Sequence, residues 1–480
     1  MHSIACVNLG LHGMAEIQPF RGVLYNSQRV KPADVLTQPY DKITPEMRER
    51  YLKLSPYNLV QIELGKEQAG DTETNNKYTR ASDLHQAWLR DGVLRRSAQP
   101  ALYYLEQTFI SPTGAAAGTL TRRAIIARVR LHRWDEGYIL PHEHTLSKPK
   151  ADRMALLRAC GSQQGQIFML YPKPKRSLED IVGKVLAQPA IELVDDYNVT
   201  NKLWEVTNPE TIRAVQDTLR GEKFYIADGH HRYETALAFR DECRATAAKP
   251  DPNAPYEFVM ATFMDMSDPG LVILPTHRTV SNLSAFDRQA FRKSLAKEFA
   301  VEPQPSLEKL LAAMRVELAS SPVTSDAGGG TRKSPTRQSR HGDGAMPVLL
   351  GMRDAEEFAL LRPKNLEALR PLFAHKPPLW DRLDVAILHV AILETLFGID
   401  EVRLREESNV TYWREPEKAL EQVRSGAAQL AFFLNPTRVE AVQMIADARS
   451  RMPQKSTDFY PKLLSGLVIN EVYPDQVGVR

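Results

Sequence analysis

Phe224-Tyr225-Ile226-Ala227-Asp228-Gly229-His230-His231-Arg232-Tyr233-Glu234-Thr235-Ala236-Leu237 is an apolar run that breaks at Asp-Gly and restarts with two imidazoles and a guanidinium. The aromatic and branched residues before the break predict a strand, and the pattern after it predicts a helix. At a helix start the unpaired amides point outward with the positive end of the dipole. Glycine lets an anion approach the backbone there, and Arg232 can bind phosphate oxygens through two donors. The segment therefore reads as a phosphate or nucleotide cradle. Asp-Gly before a helix also serves as a plain turn and cap, and paired histidines on a first turn can be solvated surface. Asp228, His230, His231 and Arg232 crowd chemically capable groups into one strand-to-helix turn. Such turns are where α/β proteins place ligands, and this tips the reading toward a site.

At 480 residues the chain exceeds what one hydrophobic core serves, so two or more domains are expected. A hydrophobic share of 43% with 25% charged residues is that of a globular protein. The net charge of +3 over so long a chain gives no footprint for nucleic acid or another polyanion. Cys6, Cys160 and Cys243 are distant, odd in number and without Cys-x-x-Cys or Cys/His spacing, which argues against a disulfide framework and for a reducing, cytoplasmic setting. Residues 1–13 have no basic start and no long apolar core, and nowhere does an apolar run approach the roughly 20 residues of a membrane span.

The run Met14-Ala15-Glu16-Ile17 reads as the true beginning, leaving 1–13 as an extension without a part in the fold. Thr44-Pro45-Glu46 is a helix start, and the polar pair Tyr40-Asp41 stands just before it. Residues 76–95 show helical spacing through Tyr78, Ala81, Leu84, Trp88 and Leu89, and 101–110 with 121–131 read as a hairpin. Ser177 caps a further helix. Residues 319–346 are rich in Ser, Gly, Thr, Pro and Arg and cannot bury enough surface to order themselves, so they are expected to be a disordered insert. Beyond it, 347–352 and 357–361 suggest a second hairpin, 383–397 a long apolar helix, and 429–436 a buried strand ended by Asn-Pro before a helix from about Val439. The expected division is an extension at 1–13, an α/β domain at 14–280, and an α+β domain at 281–480 that carries the insert.

A second polar constellation, Leu140-Pro141-His142-Glu143-His144-Thr145-Leu146-Ser147-Lys148-Pro149-Lys150-Ala151-Asp152-Arg153, joins imidazoles, carboxylates and cations in a segment broken by prolines. His-Glu-His is not the helical His-Glu-x-x-His zinc motif, so zinc gains little from it. Lys148, Lys150 and Arg153 suit phosphoryl charge, and Glu143 could accept a proton or bind magnesium. The competing reading is a solvated charged loop. Asp228 is either a cap or a carboxylate beside a metal-phosphate, and His230 or His231 could carry a proton near neutral pH. Asp381-Arg382-Leu383-Asp384 is a further polar segment. Lys455-Ser456-Thr457 has the lysine and hydroxyls of a phosphate loop but not the upstream glycines.

Gln18-Pro19-Phe20-Arg21-Gly22, Gln38-Pro39-Tyr40-Asp41, Ser55-Pro56-Tyr57-Asn58, Pro141-His142-Glu143-His144, Asp228-Gly229-His230-His231-Arg232, Leu274-Pro275-Thr276-His277-Arg278 and Met452-Pro453-Gln454-Lys455-Ser456-Thr457 occur in this order. Together they resemble the bacterial and archaeal domain-of-unknown-function family 1015 from about Met14 to the end of the chain. Residues 1–13 and 319–346 depart from that pattern. The shorter run Asp228-Gly229-His230-His231-Arg232 is similar to the Gly-x-x-Arg motif of the ParB/sulfiredoxin superfamily, which includes free-serine kinases with a similar Asp-Gly-His-His-Arg run.

That resemblance implies a mixed α/β fold, α/β or α+β in class, with a ParB/sulfiredoxin-like nucleotide-binding core, in which Gly229, His230, His231 and Arg232 hold nucleotide phosphates. It implies a nucleotide-dependent phosphotransferase acting on a small hydroxyl metabolite such as serine. ATP or ADP would be the cofactor, with magnesium bridging phosphate oxygens. Asp228, Glu143 or Asp41 would serve as proton acceptor, and Lys148 and Arg153 would be further phosphate contacts. A nucleotide sensor of the ParB type, a phosphatase and a nuclease are the alternatives.

Overall fold

The computed structural model describes residues 15–112, 118–143, 145, 147–172, 174, 176–284, 286–320, 349–406 and 408–473. The extension 1–13 and positions 321–346 of the expected insert lie outside the described residues, while 319 and 320 end the helix Leu307–Ser320. The fold is mixed α/β and divides into two compact units, Met1–Val272 with Phe459–Arg480, and Ile273–Asp458. A contiguous second domain at 281–480 is expected to hold the chain end, whereas Phe459–Arg480 groups with the first unit. The cause of that grouping is burial: Leu464, Leu467, Val468, Ile469 and Val472 are almost inaccessible to solvent, and Ile469 and Ser465 bridge to Val23 and Thr37.

The first unit is built on a nine-stranded sheet in the order Ile139–Pro141, Phe224–Asp228, Ile167–Tyr171, Phe258–Asp265, Thr119–Arg130, Leu102–Ile110, Thr200–Val206, Ile191–Val194, with Ile17–Gln18 pairing Thr119–Arg130. The long central strands follow from alternation. Leu102–Ile110 and Thr119–Arg130 pair antiparallel from Tyr103 opposite Ile126 to Ile110 opposite Thr119, the hairpin expected from their apolar periodicity. Phe224–Asp228 runs parallel to Ile139–Pro141 and antiparallel to Ile167–Tyr171, and its register shifts between Ile226 and Asp228. That irregularity sits where the strand hands over to the helix His230–Thr246. A core of Ile125, Ala127, Met169, Ile226, Tyr233 and Phe263 joins this sheet to the helix.

Capping sets the helix starts. Thr44 accepts from the Met47 amide with Pro45 in the first turn, and Asn76 closes a capping box with Thr79. Ser177 likewise accepts from the Asp180 amide. The helix expected over 76–95 stops sooner, at Arg90, because Gly92 takes a left-handed φ of 70° and residues Leu94–Arg96 pair with Val23–Tyr25 as strands. Cys160 and Cys243 are buried free thiols, and burial pushes the Cys160 thiol up to about 12.

Gly270 is close-packed against the sheet: a Cβ there would meet Arg122 Cβ at 2.5 Å and its Cα at 2.6 Å. Gly270→Ala is therefore expected to lower stability by about 1–3 kcal/mol through overpacking against main chain that cannot yield. A urea midpoint unchanged from the parent would contradict this.

The second unit carries a six-stranded antiparallel sheet ordered Phe299–Gln304, Phe358–Pro363, Leu350–Arg353, Leu430–Leu434, His277–Val280, Val410–Trp413. The hairpin expected across 347–361 is its Leu350–Arg353 and Phe358–Pro363 pair. Helices Leu307–Ser320 and Pro416–Arg424 contribute Leu310, Met314, Ala419, Leu420 and Val423 to the core over that sheet. The single apolar helix expected over 383–397 is instead broken. Asp384–Ile387 is α-helical, Leu388–Glu394 is a π-helical stretch, and Thr395–Phe397 ends at Gly398. The Thr395 hydroxyl donates to Val390 O five residues back, at 2.7 Å, in keeping with the wider turn. No helix among the described residues is long and apolar enough to cross a membrane.

Candidate functional site

The site begins where Phe224–Asp228 ends. Gly229 stands at the helix N-cap with φ 94°, ψ 25° and no side-chain cap. A Cβ at Gly229 would sit 3.2 Å from Arg232 Nε and 3.3 Å from Ile167 Cα, so this position needs glycine both for its dihedral and for its space. Arg232, in the first turn, folds back and donates from Nη1 to Gln166 O at 2.7 Å, passing 2.8 Å from where a Cβ of Gly165 would lie. Two glycines thus give the guanidinium its berth beside the helix start.

Asp228 closes the strand, and Lys462 Nζ donates to its Oδ2 at 3.2 Å. Burial works to raise this carboxyl, but the charges of Lys462, Arg232 and Lys42 outweigh it and hold the group well below the usual carboxylate range. Asp228 is consequently ionised and a weak proton acceptor. Lys462 is held in turn by the sheet, since Gln107 donates to Lys462 O at 3.3 Å. Gln107 also donates to Asn201 Oδ1 at 2.7 Å and accepts from the fully buried Arg122 at 2.8 Å. Burial lowers Arg122 to about 9 against the opposing pull of nearby carboxylates, Asp268 first among them.

The two histidines part company. His230 is buried, and its Nε2 accepts the His142 main-chain N–H at 3.3 Å, while His142 Nδ1 lies 2.7 Å from Ile226 O. This arrangement engages His230 in fastening the Ile139–Pro141 segment to the helix start. His231 is half-buried. Burial lowers its pKa, countered by Glu234 and reinforced by Lys150, so the ring is neutral at pH 7 and can accept a proton. Glu234 itself receives Thr145 Oγ1 at 2.6 Å and Lys150 Nζ at 2.8 Å, which brings the proline-broken segment against the helix His230–Thr246.

A cleft of about 490 Å³ adjoins Arg232 and is lined by Tyr40, Glu63, Arg153, Gln164 and Gly165. Arg153 is nearly buried, donates to Glu63 O at 2.7 Å and stands 4.3 Å over the Tyr40 ring. Glu63 is buried, and Oε2 has no hydrogen-bond partner among the described residues. Burial raises its pKa, with Arg153, a hydrogen bond from Ser465 and Arg232 opposing.

Asp41 is exposed in the short turn Tyr40–Lys42, and Glu143 is partly exposed beyond Ile139–Pro141. Lys148 belongs to the helix Ser147–Cys160, but its side chain, like His144 as a whole, lies outside the described residues. Asp228, Gly229, Arg232, Lys462 and Lys42 thus converge, with Arg153 in the adjoining cleft. Sequence reasoning missed Glu63, Lys42 and Lys462. Glu63 did leave a trace, as the lone charge in Leu59-Val60-Gln61-Ile62-Glu63-Leu64, whereas nothing around Lys462 marked it.

The family described as "Protein of unknown function (DUF1015)" matches residues 17–386. None of the curated proteins matches. Similar solved structures include a free serine kinase in complex with AMP, 12% identical, with 72% of this chain and 92% of that one covered and a TM-score of 0.33. A conserved hypothetical protein from Pyrococcus furiosus is 13% identical, with 70% and 90% covered and a TM-score of 0.31. SbnI with C-terminal truncation from Staphylococcus aureus is 11% identical, with 70% and 85% covered and a TM-score of 0.30. Likeness at this level carries no chemistry across, so the reading of the site rests on this chain's own residues.

Proposed function

Because the chain belongs to the DUF1015 family, whose description names no activity, we propose from the geometry of its own site that it is a nucleotide-dependent phosphotransferase acting on a small hydroxyl metabolite. The observation that carries the proposal is the left-handed Gly229 between Asp228 and an uncapped helix start, with Arg232, Lys462 and Lys42 gathered around it. Three cations about one partly buried carboxylate leave an excess of positive charge where the helix begins, and this suits a phosphate chain.

In this reading the helix amides and Arg232 hold the nucleotide phosphates, with Arg153 and Lys148 as further contacts. The hydroxyl oxygen of the acceptor bonds to the terminal phosphorus as the bond to the leaving nucleotide phosphate breaks. The hydroxyl proton passes to a base. Asp228 is too firmly held as an anion for that role, and His230 Nε2 is engaged by His142, which leaves His231, Glu143 and Asp41 as the groups to test. Magnesium would join as part of the metal–nucleotide complex, with Asp228 the carboxylate beside it and phosphate oxygens supplying most ligands. Serine is the first acceptor to test, since the Asp-Gly-His-His-Arg run resembles that of free-serine kinases.

Calorimetry of the whole chain with ADP, ATP and CTP plus magnesium, followed by phosphorus NMR with serine present, tests the reading. Saturable nucleotide binding and growth of a phosphoserine resonance are expected. Binding without transfer to any hydroxyl acceptor would favour a nucleotide sensor, and no binding would reduce the turn to a structural helix start.

A further inference from the structure

A second polar cleft, of about 530 Å³, lies wholly within Ile273–Asp458. Its charged wall is Arg278, Arg382 and Arg438, and its apolar wall includes Leu383, Val385 and Leu434. Arg278 is 1% exposed, deeper than arginine normally lies. Its Nη1 donates to Thr276 O and its Nη2 to Lys455 O at 2.8 Å, while Nε has no partner among the described residues. Asn435 Nδ2, which lines the same cleft, is also buried without a partner among the described residues. Arg438 is the N-cap of the helix Val439–Asp447, in extended conformation and without a side-chain cap, so a helix start adds its dipole to the same cleft.

A buried guanidinium with an unmade hydrogen bond is destabilising, and structural arginines are normally satisfied by carbonyls or carboxylates. The acidic side chain in the cleft, Asp384, can offset at most one of the three cations. Desolvation pushes its carboxyl up to about 7, against the pull of Arg438. Buried donors, an uncapped helix start and an excess of positive charge, together with apolar lining residues, describe a receptor for an anion that carries carbon.

We propose that this cleft binds a small organic oxyanion, a carboxylate or phosphate monoester on a short carbon skeleton, with Arg278, Arg382 and Arg438 as its cationic donors. Every lining residue of the cleft lies in the second unit, and none belongs to the turn at 228–232. Calorimetry on the full chain with inorganic phosphate, O-phosphoserine and succinate tests the assignment. The three probes separate a bare anion, a phosphate monoester and a carboxylate.

At least one organic probe is expected to bind more tightly than phosphate. Arg438→Gln and Arg382→Gln should each weaken that binding by about tenfold or more, and Arg232→Ala should leave it within about twofold. Arg382 is exposed, so its variant keeps the test open if the other fails to fold. Absence of binding by every organic probe would overturn the proposal, as would affinities unchanged in a folded Arg382→Gln. Loss in Arg232→Ala alone would place the anion in the cradle and overturn it as well.

Discussion

Arg232→Ala is expected to lower affinity for ADP or ATP by about 30- to 100-fold while the protein still folds. Among the described residues the guanidinium is anchored through Nη1 to Gln166 O, and Nε and Nη2 lie beside the Gly229 turn, where a phosphate would meet them. Losing one or two charge-assisted hydrogen bonds in a half-buried site costs about 2–3 kcal/mol of binding. The fold loses one side chain-to-carbonyl bond and little packing, so the melting temperature should fall by only a few degrees, roughly as a 1 kcal/mol change does. Arg232→Lys should recover part of the affinity through charge but not the fork of donors. Parent-like affinity in a folded Arg232→Ala would remove the cradle from consideration and the phosphotransferase reading with it. The oxyanion cleft of the second unit would be untouched by that outcome.

The second large effect concerns acid stability of the Ile273–Asp458 unit. His277 is 2% exposed, its Nδ1 accepts the Leu434 N–H at 3.2 Å, and burial with the neighbouring Arg278 lowers its pKa to about 3. The unfolded chain has the ordinary value of about 6.5. Because the folded value is the lower one, the unfolded state takes up the proton first. The stabilisation from keeping this ring neutral is complete above about pH 6.5 and is lost as pH falls toward about 3. Between about pH 7.5 and about pH 5 the loss amounts to roughly 2 kcal/mol.

His389 is buried too, and desolvation, with Arg278 and Lys376, lowers it in the same sense. Asp384, raised to about 7, works in the opposite direction, since its folded form binds a proton more readily than the unfolded one. The total pH dependence is therefore muted, and the informative quantity is a difference. The stability gap between the parent and His277→Gln should narrow by about 2 kcal/mol on going from about pH 7.5 to about pH 5, because glutamine can accept the Leu434 amide but cannot be protonated. Urea unfolding at both pH values measures it. A gap that does not change with pH would mean that His277 titrates normally in the folded protein.

Much of the architecture was legible along the chain because it is made of local choices. The break at Asp228-Gly229, the caps at Thr44 and Ser177, and the alternation through 101–110 and 121–131 each act over a few residues, and each element stands where those residues call for it. The segment at 228–232 was legible for the same reason, since a turn, a helix start and Arg232 are neighbours in sequence. The long helix expected over 383–397 failed on a non-local cause. An apolar run carries no information about whether its surroundings favour an α-helical or a wider turn, and full burial of Leu388–Leu393 accompanies the π-helical stretch.

The electrostatics of the site belonged to tertiary structure alone. Lys462 reaches Asp228 across 234 positions, and the carboxylate's low pKa is the sum of that ion pair, Arg232 and Lys42 against burial. Glu63 is unremarkable until Arg153, Ser465 and Arg232 surround it. The sequence by itself determined which segments could present an anion-binding turn, because backbone geometry and capping are local. Only the folded chain decided the charge state of each group at that turn and which histidine was left neutral and half-exposed, because desolvation and Coulomb terms depend on distances that the order of residues does not contain.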